Sequence, residues 1–170
     1  MPTQIEGRVF KFGDNINSDV IIPGRYLIYI DPETLSKHAF EVLGEGFAEK
    51  LRQFDILVAG RNFGCGSARE QAATAIQGLG IKAIVACSFA RTFYRNAIND
   101  GLPIIECPEL CPAVQEGDRL EIDLEAACIR HRNKNYSFPK LPDSVRKLLE
   151  LGGLAAYLKT GIEKQRNQGR

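Results

Sequence analysis

Gly60-Arg-Asn-Phe-Gly-Cys-Gly-Ser-Ala-Arg-Glu-Gln71 follows an apolar run, Phe54 to Ala59, and leads into a segment with helical spacing. The apolar run predicts a strand buried on both faces, and Gly64 and Gly66 predict a turn that needs backbone freedom and close approach. Ser67 stands where a helix N-cap is expected, with Glu70 three residues on, as a capping box requires. A helix start of that kind attracts anions, and Arg69 adds a fork-shaped donor suited to carboxylate or phosphate. An arginine there opposes the helix dipole, so the local pattern offers no stability reason for it. Three familiar glycine motifs fail on named residues. The dinucleotide fingerprint needs a glycine where Arg69 sits, the Walker loop needs Gly-Lys-Ser/Thr, and the nucleophile elbow needs a glycine two residues after the serine. An anion-binding turn carrying a hydroxyl remains, and an ordinary strand-to-helix turn with a capping serine fits the same local pattern.

Outward from this stretch the chain alternates. Ile81 to Ala86 and Leu102 to Glu106 read as further buried strands. Between them lie helical patterns, one carrying Ala72, Ala73, Ile76 and Leu79, the other spanning Ser88 to Asn99. Strand and helix in alternation at these lengths imply right-handed crossovers and a parallel sheet, whose ligands sit at the carboxyl ends of strands. Ser88 and Arg91 are therefore secondary site candidates, and Ser88 also suits a cap. Upstream, Gly7 to Phe12 predicts a first strand, Asp14 to Ser18 a polar turn ended by Asp19, and Pro23-Gly24 a break before a loop, Arg25 to Ile30. A helix is expected from Asp31-Pro32-Glu33 to Gly44, with Leu35, Ala39, Val42 and Leu43 on its inner face, and a short one over Phe47 to Arg52. Beyond Pro112, Arg119 to Leu124, Cys128 to His131 and Tyr136 to Phe138 are hairpin material, an antiparallel layer that the first strand can join. A last helix, Ser144 to Lys159, is interrupted at Gly152-Gly153, and 163–170 reads as a frayed polar tail.

At 170 residues, 44% hydrophobic and 25% charged, the chain is expected to form a single domain over 1–170. Lysine plus arginine exceed aspartate plus glutamate by 22 − 21 = 1, and no basic run appears, so nucleic acid is not an expected partner. The opening Met-Pro-Thr-Gln-Ile-Glu lacks a signal-peptide profile and no apolar run approaches membrane-spanning length. The expectation is a cytoplasmic protein without a membrane partner. Five cysteines, at 65, 87, 107, 111 and 128, form an odd, scattered set, and Cys107-x-x-x-Cys111 has no second pair at metal spacing. No metal is expected on this chain.

Three stretches together resemble the small subunit, or swivel domain, of the aconitase superfamily hydro-lyases, above all 3-isopropylmalate dehydratase and homoaconitase. They are the motif turn above, Phe12-Gly-Asp-Asn-Ile-Asn-Ser-Asp-Val-Ile-Ile-Pro-Gly-Arg-Tyr-Leu27, and Ser88-Phe-Ala-Arg-Thr-Phe-Tyr-Arg-Asn-Ala-Ile-Asn-Asp-Gly-Leu-Pro103. The resemblance implies an α/β fold, a three-layer β/β/α swivelling domain with a parallel core and an antiparallel β layer. It implies that the chain supplies half of an active site. A large subunit, joined in a heterodimer or heterotetramer, would carry a [4Fe-4S] cluster, and this chain none; Cys65 alone offers no cluster ligation. It further implies dehydration and rehydration of a 2-substituted malate, with Ser67 as alkoxide base, Arg69 and Gly66 at the substrate, Asp19 beside them to orient an arginine or the serine, and Ile28 facing the variable group; an Asx-type turn fits Asp19 equally on local grounds. Where this chain has Ala68 the family carries a second serine, which puts one hydroxyl contact in doubt. Homoaconitase-type members have an arginine at the position of Ile28, so an aliphatic residue favours isopropylmalate over homocitrate or citrate. The rival readings are a homoaconitase or other malate hydro-lyase subunit, and a carboxylate-binding module without chemistry.

Overall fold

The structure is a computed structural model that describes residues 3–160. The tail expected over 163–170 lies outside the described residues. Seven strands, β1 (Gln4–Lys11), β2 (Ile56–Ala59), β3 (Ala83–Ala86), β4 (Ile104–Glu106), β5 (Arg119–Asp123), β6 (Cys128–His131) and β7 (Lys134–Ser137), form one sheet in the order β4-β3-β2-β1-β5-β6-β7. The helices are α1 (Ser18–Ile21), α2 (Pro32–Lys37), α3 (Phe47–Leu51), α4 (Glu70–Gly78), α5 (Arg91–Asp100) and α6 (Asp143–Leu151).

The β/β/α architecture follows from the burial pattern of the strands. β2 and β3 are buried at every residue, as strands covered on both faces must be, and they pair in parallel with each other, with β4 and with β1. β5, β6 and β7 alternate and pair antiparallel. β1 belongs to both halves: Val9 to Lys11 pair in parallel with β2, while Gln4 to Arg8 pair antiparallel with β5. The two β layers are thus one continuous sheet. Right-handed crossovers put α4 and α5 on the same face, where they pack against each other. The antiparallel half curls back over the other face. Strands β4 and β7 are the two ends of the sheet order, yet the Cys107 thiol, one residue past β4, donates to the Ser137 carbonyl of β7 at 3.8 Å.

Helix α2 is shorter than its sequence pattern. α2 stops at Lys37 because Phe40 turns left-handed, φ 57°, and buries its ring completely against Phe12 at 4.9 Å. A left-handed residue costs about 1–2 kcal/mol and burying an aromatic ring contributes about 2–3, so burial wins. Val42 and Leu43, expected inside, end up exposed on the 3-10 turn Glu41–Leu43 that follows. The last helix divides at Gly152 and Gly153, as expected, and resumes over 154–160. Only Leu149 of its apolar residues is fully buried; Leu151 and Leu154 remain exposed.

Candidate active site

Past the carboxyl ends of β1, β2 and β3 the parallel ladder continues through three loops before any helix begins. Asn17 bridges Cys65 and Phe63 bridges Phe89, both in parallel. The hydrogen bonds Gly64 N–H to Ile16 O (2.8 Å), Ser18 N–H to Cys65 O (2.7 Å) and Phe63 N–H to Ser88 O (3.0 Å) hold these loops side by side. Gly64 and Gly66 have φ of 78° and 91°. A Cβ at Gly64 would overlap the Phe93 ring and one at Gly66 the Asn17 side chain, so both positions require glycine for conformation and for space.

The continued ladder displaces the helix start. α4 opens at Glu70, with Arg69 at the cap position in extended geometry (φ −135°, ψ 110°) and no side-chain cap. Ser67 is therefore not an N-cap, and the expected capping box with Glu70 does not form. The reason is competition from a distant part of the chain: the Ser67 carbonyl, which as a cap would accept the first helical N–H, accepts instead the buried Ser18 hydroxyl at 2.6 Å. Ser67 and Ala68 stand on the turn with exposed side chains. Ser88 repeats the pattern. It lies before α5 without capping it, and its hydroxyl accepts the Asn62 N–H at 2.9 Å. Arg91 opens α5 and is exposed.

Arg69 has structural partners that its local pattern did not suggest, one of them the Asp19 that the family resemblance implied would orient an arginine or the serine. Its side chain, only 11% exposed, donates Nη1–H to the Ile22 carbonyl at 2.7 Å and pairs through Nη2 with Asp19, whose side chain is 54% exposed. Its Nε is buried without a partner among the described residues. The guanidinium lies along Gly24. Consecutive residues Ser18 and Asp19 thus hold Ser67 and Arg69 from across a gap of nearly fifty positions. Asn17 fixes them in turn, since its Oδ1 accepts the Asp19 N–H at 2.8 Å and heads α1. Ser18 and Asn17 were absent from the site read in the sequence. The polar run Asn15-Ile-Asn-Ser-Asp19 was the available signal, but a run names no partner. Ile28 lies on the loop after the 3-10 turn Gly24–Tyr26 and is 80% exposed. That loop is tied to the first turn of α4, because Gln71 Nε2 donates to the Leu27 carbonyl at 3.0 Å.

Among the described residues no group of three or more His, Cys, Asp or Glu side chains is placed to hold a metal ion. Cys65 is the sole thiol on the motif turn, and burial pushes the Cys107 and Cys111 thiols up, away from the thiolate that a metal requires. The described residues do not fit an iron–sulfur cluster. No helix among the described residues is long and apolar enough to cross a membrane.

A serine and an arginine thus stand on a two-glycine turn, braced at the carboxyl ends of a parallel sheet that continues into an antiparallel half. Residues 17–110 match the aconitase C-terminal domain family, and the chain belongs to that family. Within it, the 3-isopropylmalate dehydratase small subunit of Thermodesulfovibrio yellowstonii is 48% identical over 164 residues, 95% of this chain and 98% of that protein. The isopropylmalate/citramalate isomerase small subunit of Methanocaldococcus jannaschii is 47% identical over 161 residues, 94% and 96% of the two chains. A crystal structure of 3-isopropylmalate dehydratase from Methanocaldococcus jannaschii has the same fold, with a TM-score of 0.88 at 44% identity, over 97% of this chain and 99% of that one.

Proposed function

We propose that this chain is the small subunit of a heteromeric, cytoplasmic hydro-lyase that interconverts 2-isopropylmalate and 3-isopropylmalate in leucine biosynthesis, and that residues 1–170 act as one domain. The observation that carries the proposal is the presence on one turn of an exposed Ser67 side chain and a largely buried Arg69 guanidinium, the Ser67 carbonyl held by Ser18 and the guanidinium by Asp19. The relatives' names supply the reaction and its substrate.

The hard step is removal of a proton from a carbon beside a carboxylate. Ser67, as the alkoxide, takes that proton at Oγ, and Arg69 holds the carboxylate whose charge grows as the C–H bond breaks. Asp19 already occupies the guanidinium, but its carboxylate is the exposed member of the pair, 54% against 11% for Arg69, and is free to turn toward solvent. A substrate carboxylate can take its place or share the fork. Gly66, whose missing Cβ makes room for Asn17, keeps the turn in the left-handed conformation that presents Ser67 to the substrate. Ala68 leaves this arrangement intact while offering no second hydroxyl.

An exposed serine in water is a poor base, so the site works only when a second body covers it and excludes solvent. That body is the large subunit, to which we assign the [4Fe-4S] cluster and the handling of the departing hydroxyl. The test is reconstitution. The isolated chain should show no dehydratase activity and gain it on adding the cognate large subunit; a full ligand response from the chain alone, with no activity in the complex, would favour a carboxylate-binding module.

Substrate choice rests on Ile28. An aliphatic side chain suits an isopropyl group, whereas a buried carboxylate without a partner costs several kcal/mol, roughly 2–7 for an unpaired polar group. We expect the wild-type complex to prefer isopropylmalate over homoaconitate, and Ile28→Arg to move the kcat/KM ratio toward the tricarboxylate by about tenfold or more. Because Ile28 is exposed, the thermal midpoint of the isolated chain should hardly change. A wild-type preference for the tricarboxylate, or an unmoved ratio, removes this loop from specificity.

A further inference from the structure

The loop that carries Ile28 begins with another ionic side chain, Arg25, one residue from the Gly24 that abuts Arg69. Arg25 is thus a cation carried by the loop proposed to face the variable group of the substrate. Its side chain is nevertheless committed elsewhere. Arg25 Nη2 pairs with Glu41 Oε1, and its guanidinium carbon lies 4.9 Å from the centroid of the Tyr26 ring.

Glu41 is the fixed partner of that pair. Its other oxygen, Oε2, accepts the Tyr26 hydroxyl at 2.9 Å and lies 3.2 Å from His38 Nδ1, while the Tyr26 ring stacks on the His38 ring at 3.8 Å and 9°. Glu41 follows Phe40, which is fully buried and whose N–H donates to the Ile21 carbonyl at 2.9 Å. The carboxylate is therefore anchored to the core through its own backbone, and the 66% exposed Arg25 side chain is drawn to it.

We propose that Glu41 is a specificity-determining residue: by holding the Arg25 guanidinium against Tyr26, it withholds a second cation from the variable group of the substrate. The proposal rests on the reading of residues 24–30 as the substrate-facing loop. With Arg25 neutralised and turned toward Glu41, the loop presents Ile28 to that group, and a substituent ending in a carboxylate finds no partner to offset its desolvation. Discrimination against tricarboxylates then comes from a restrained charge as well as from an apolar contact.

The experiment measures kcat/KM for isopropylmalate and homoaconitate in the complex reconstituted with the cognate large subunit. Glu41→Gln keeps an acceptor for the Tyr26 hydroxyl but releases Arg25, and should raise the homoaconitate-to-isopropylmalate ratio about tenfold. Arg25→Ala added to Glu41→Gln should return the ratio to the wild-type value. A merely structural Glu41 would lower both substrates together and would not be reversed by removing Arg25, and that result overturns the proposal. Arg25→Ala alone gives a second test, since it should leave both constants within about twofold; a selective loss with homoaconitate would mean that Arg25 already serves a carboxylate, contrary to the proposal. Ile28→Arg in the same assay separates the two ideas. If it moves the ratio and Glu41→Gln does not, the role of Glu41 falls and the loop reading stands; if neither moves it, both fall.

Discussion

Ser67→Ala should abolish turnover while leaving the protein and its complex intact. In the reconstituted enzyme we expect kcat to fall by about a thousandfold or more, the usual result of removing a group that takes the proton in the transition state. The fold gives this prediction an unusually clean background. The Ser67 side chain is exposed and caps no helix, and the bond that fixes residue 67 runs from the Ser18 hydroxyl to its backbone carbonyl, which alanine retains. Stability should therefore change by no more than about 0.5 kcal/mol, less than the roughly 1 kcal/mol of a lost cap. Urea unfolding of the isolated chain and single-turnover kinetics of the complex read the two effects separately. Turnover near wild type removes the serine from the mechanism.

Arg69→Lys is the second large effect, and here stability and binding should part. Lysine keeps the charge but loses the planar fork that spans Asp19 and the Ile22 carbonyl. Against that loss stands the buried Nε, which has no partner among the described residues and costs about 1–3 kcal/mol as it is. Lysine has no such atom. The two terms oppose each other, so the unfolding midpoint should shift only slightly. The carboxylate has no such compensation, and exchanging a bidentate for a single charge-assisted bond should lower kcat/KM by about a hundredfold. Titration of the complex with isopropylmalate, alongside thermal unfolding, distinguishes the outcomes. Substrate handling close to wild type would reduce Arg69 to a brace for the 17–24 segment.

That double standing of Arg69 marks the boundary of what local pattern reveals. Continuous apolar runs identified β2 and β3, because strands covered on both faces leave no polar position in the sequence, and a shorter run ending at the exposed Glu106 identified β4. Helical spacing placed α4 and α5, and alternation placed β5 to β7, each signal being the burial of one element against the rest. The two glycines before Ser67 announced a turn with special backbone needs, and the order of three matched stretches carried the family.

What the sequence by itself determined, then, is the strands and the main helices, their parallel and antiparallel grouping, and the motif turn that holds the serine and the arginine, whereas α1 arose where a turn was expected and α2 stopped short. Only the tertiary structure decided which backbone groups near that turn were free. A capping pattern is satisfied by any serine three residues before a glutamate, but the Ser18 hydroxyl, 49 positions away, takes the carbonyl that the cap would use, and the helix waits until Glu70. The same holds for Arg69, whose partners Asp19 and Ile22 lie on a segment joined to the turn by a parallel bridge. It holds for Phe40, whose left-handed turn is stable only because a ring-sized space against Phe12 exists to fill. Propensity and periodicity report on neighbours along the chain, whereas hydrogen-bond competition and the filling of a core are settled by residues that meet only after the sheet has closed.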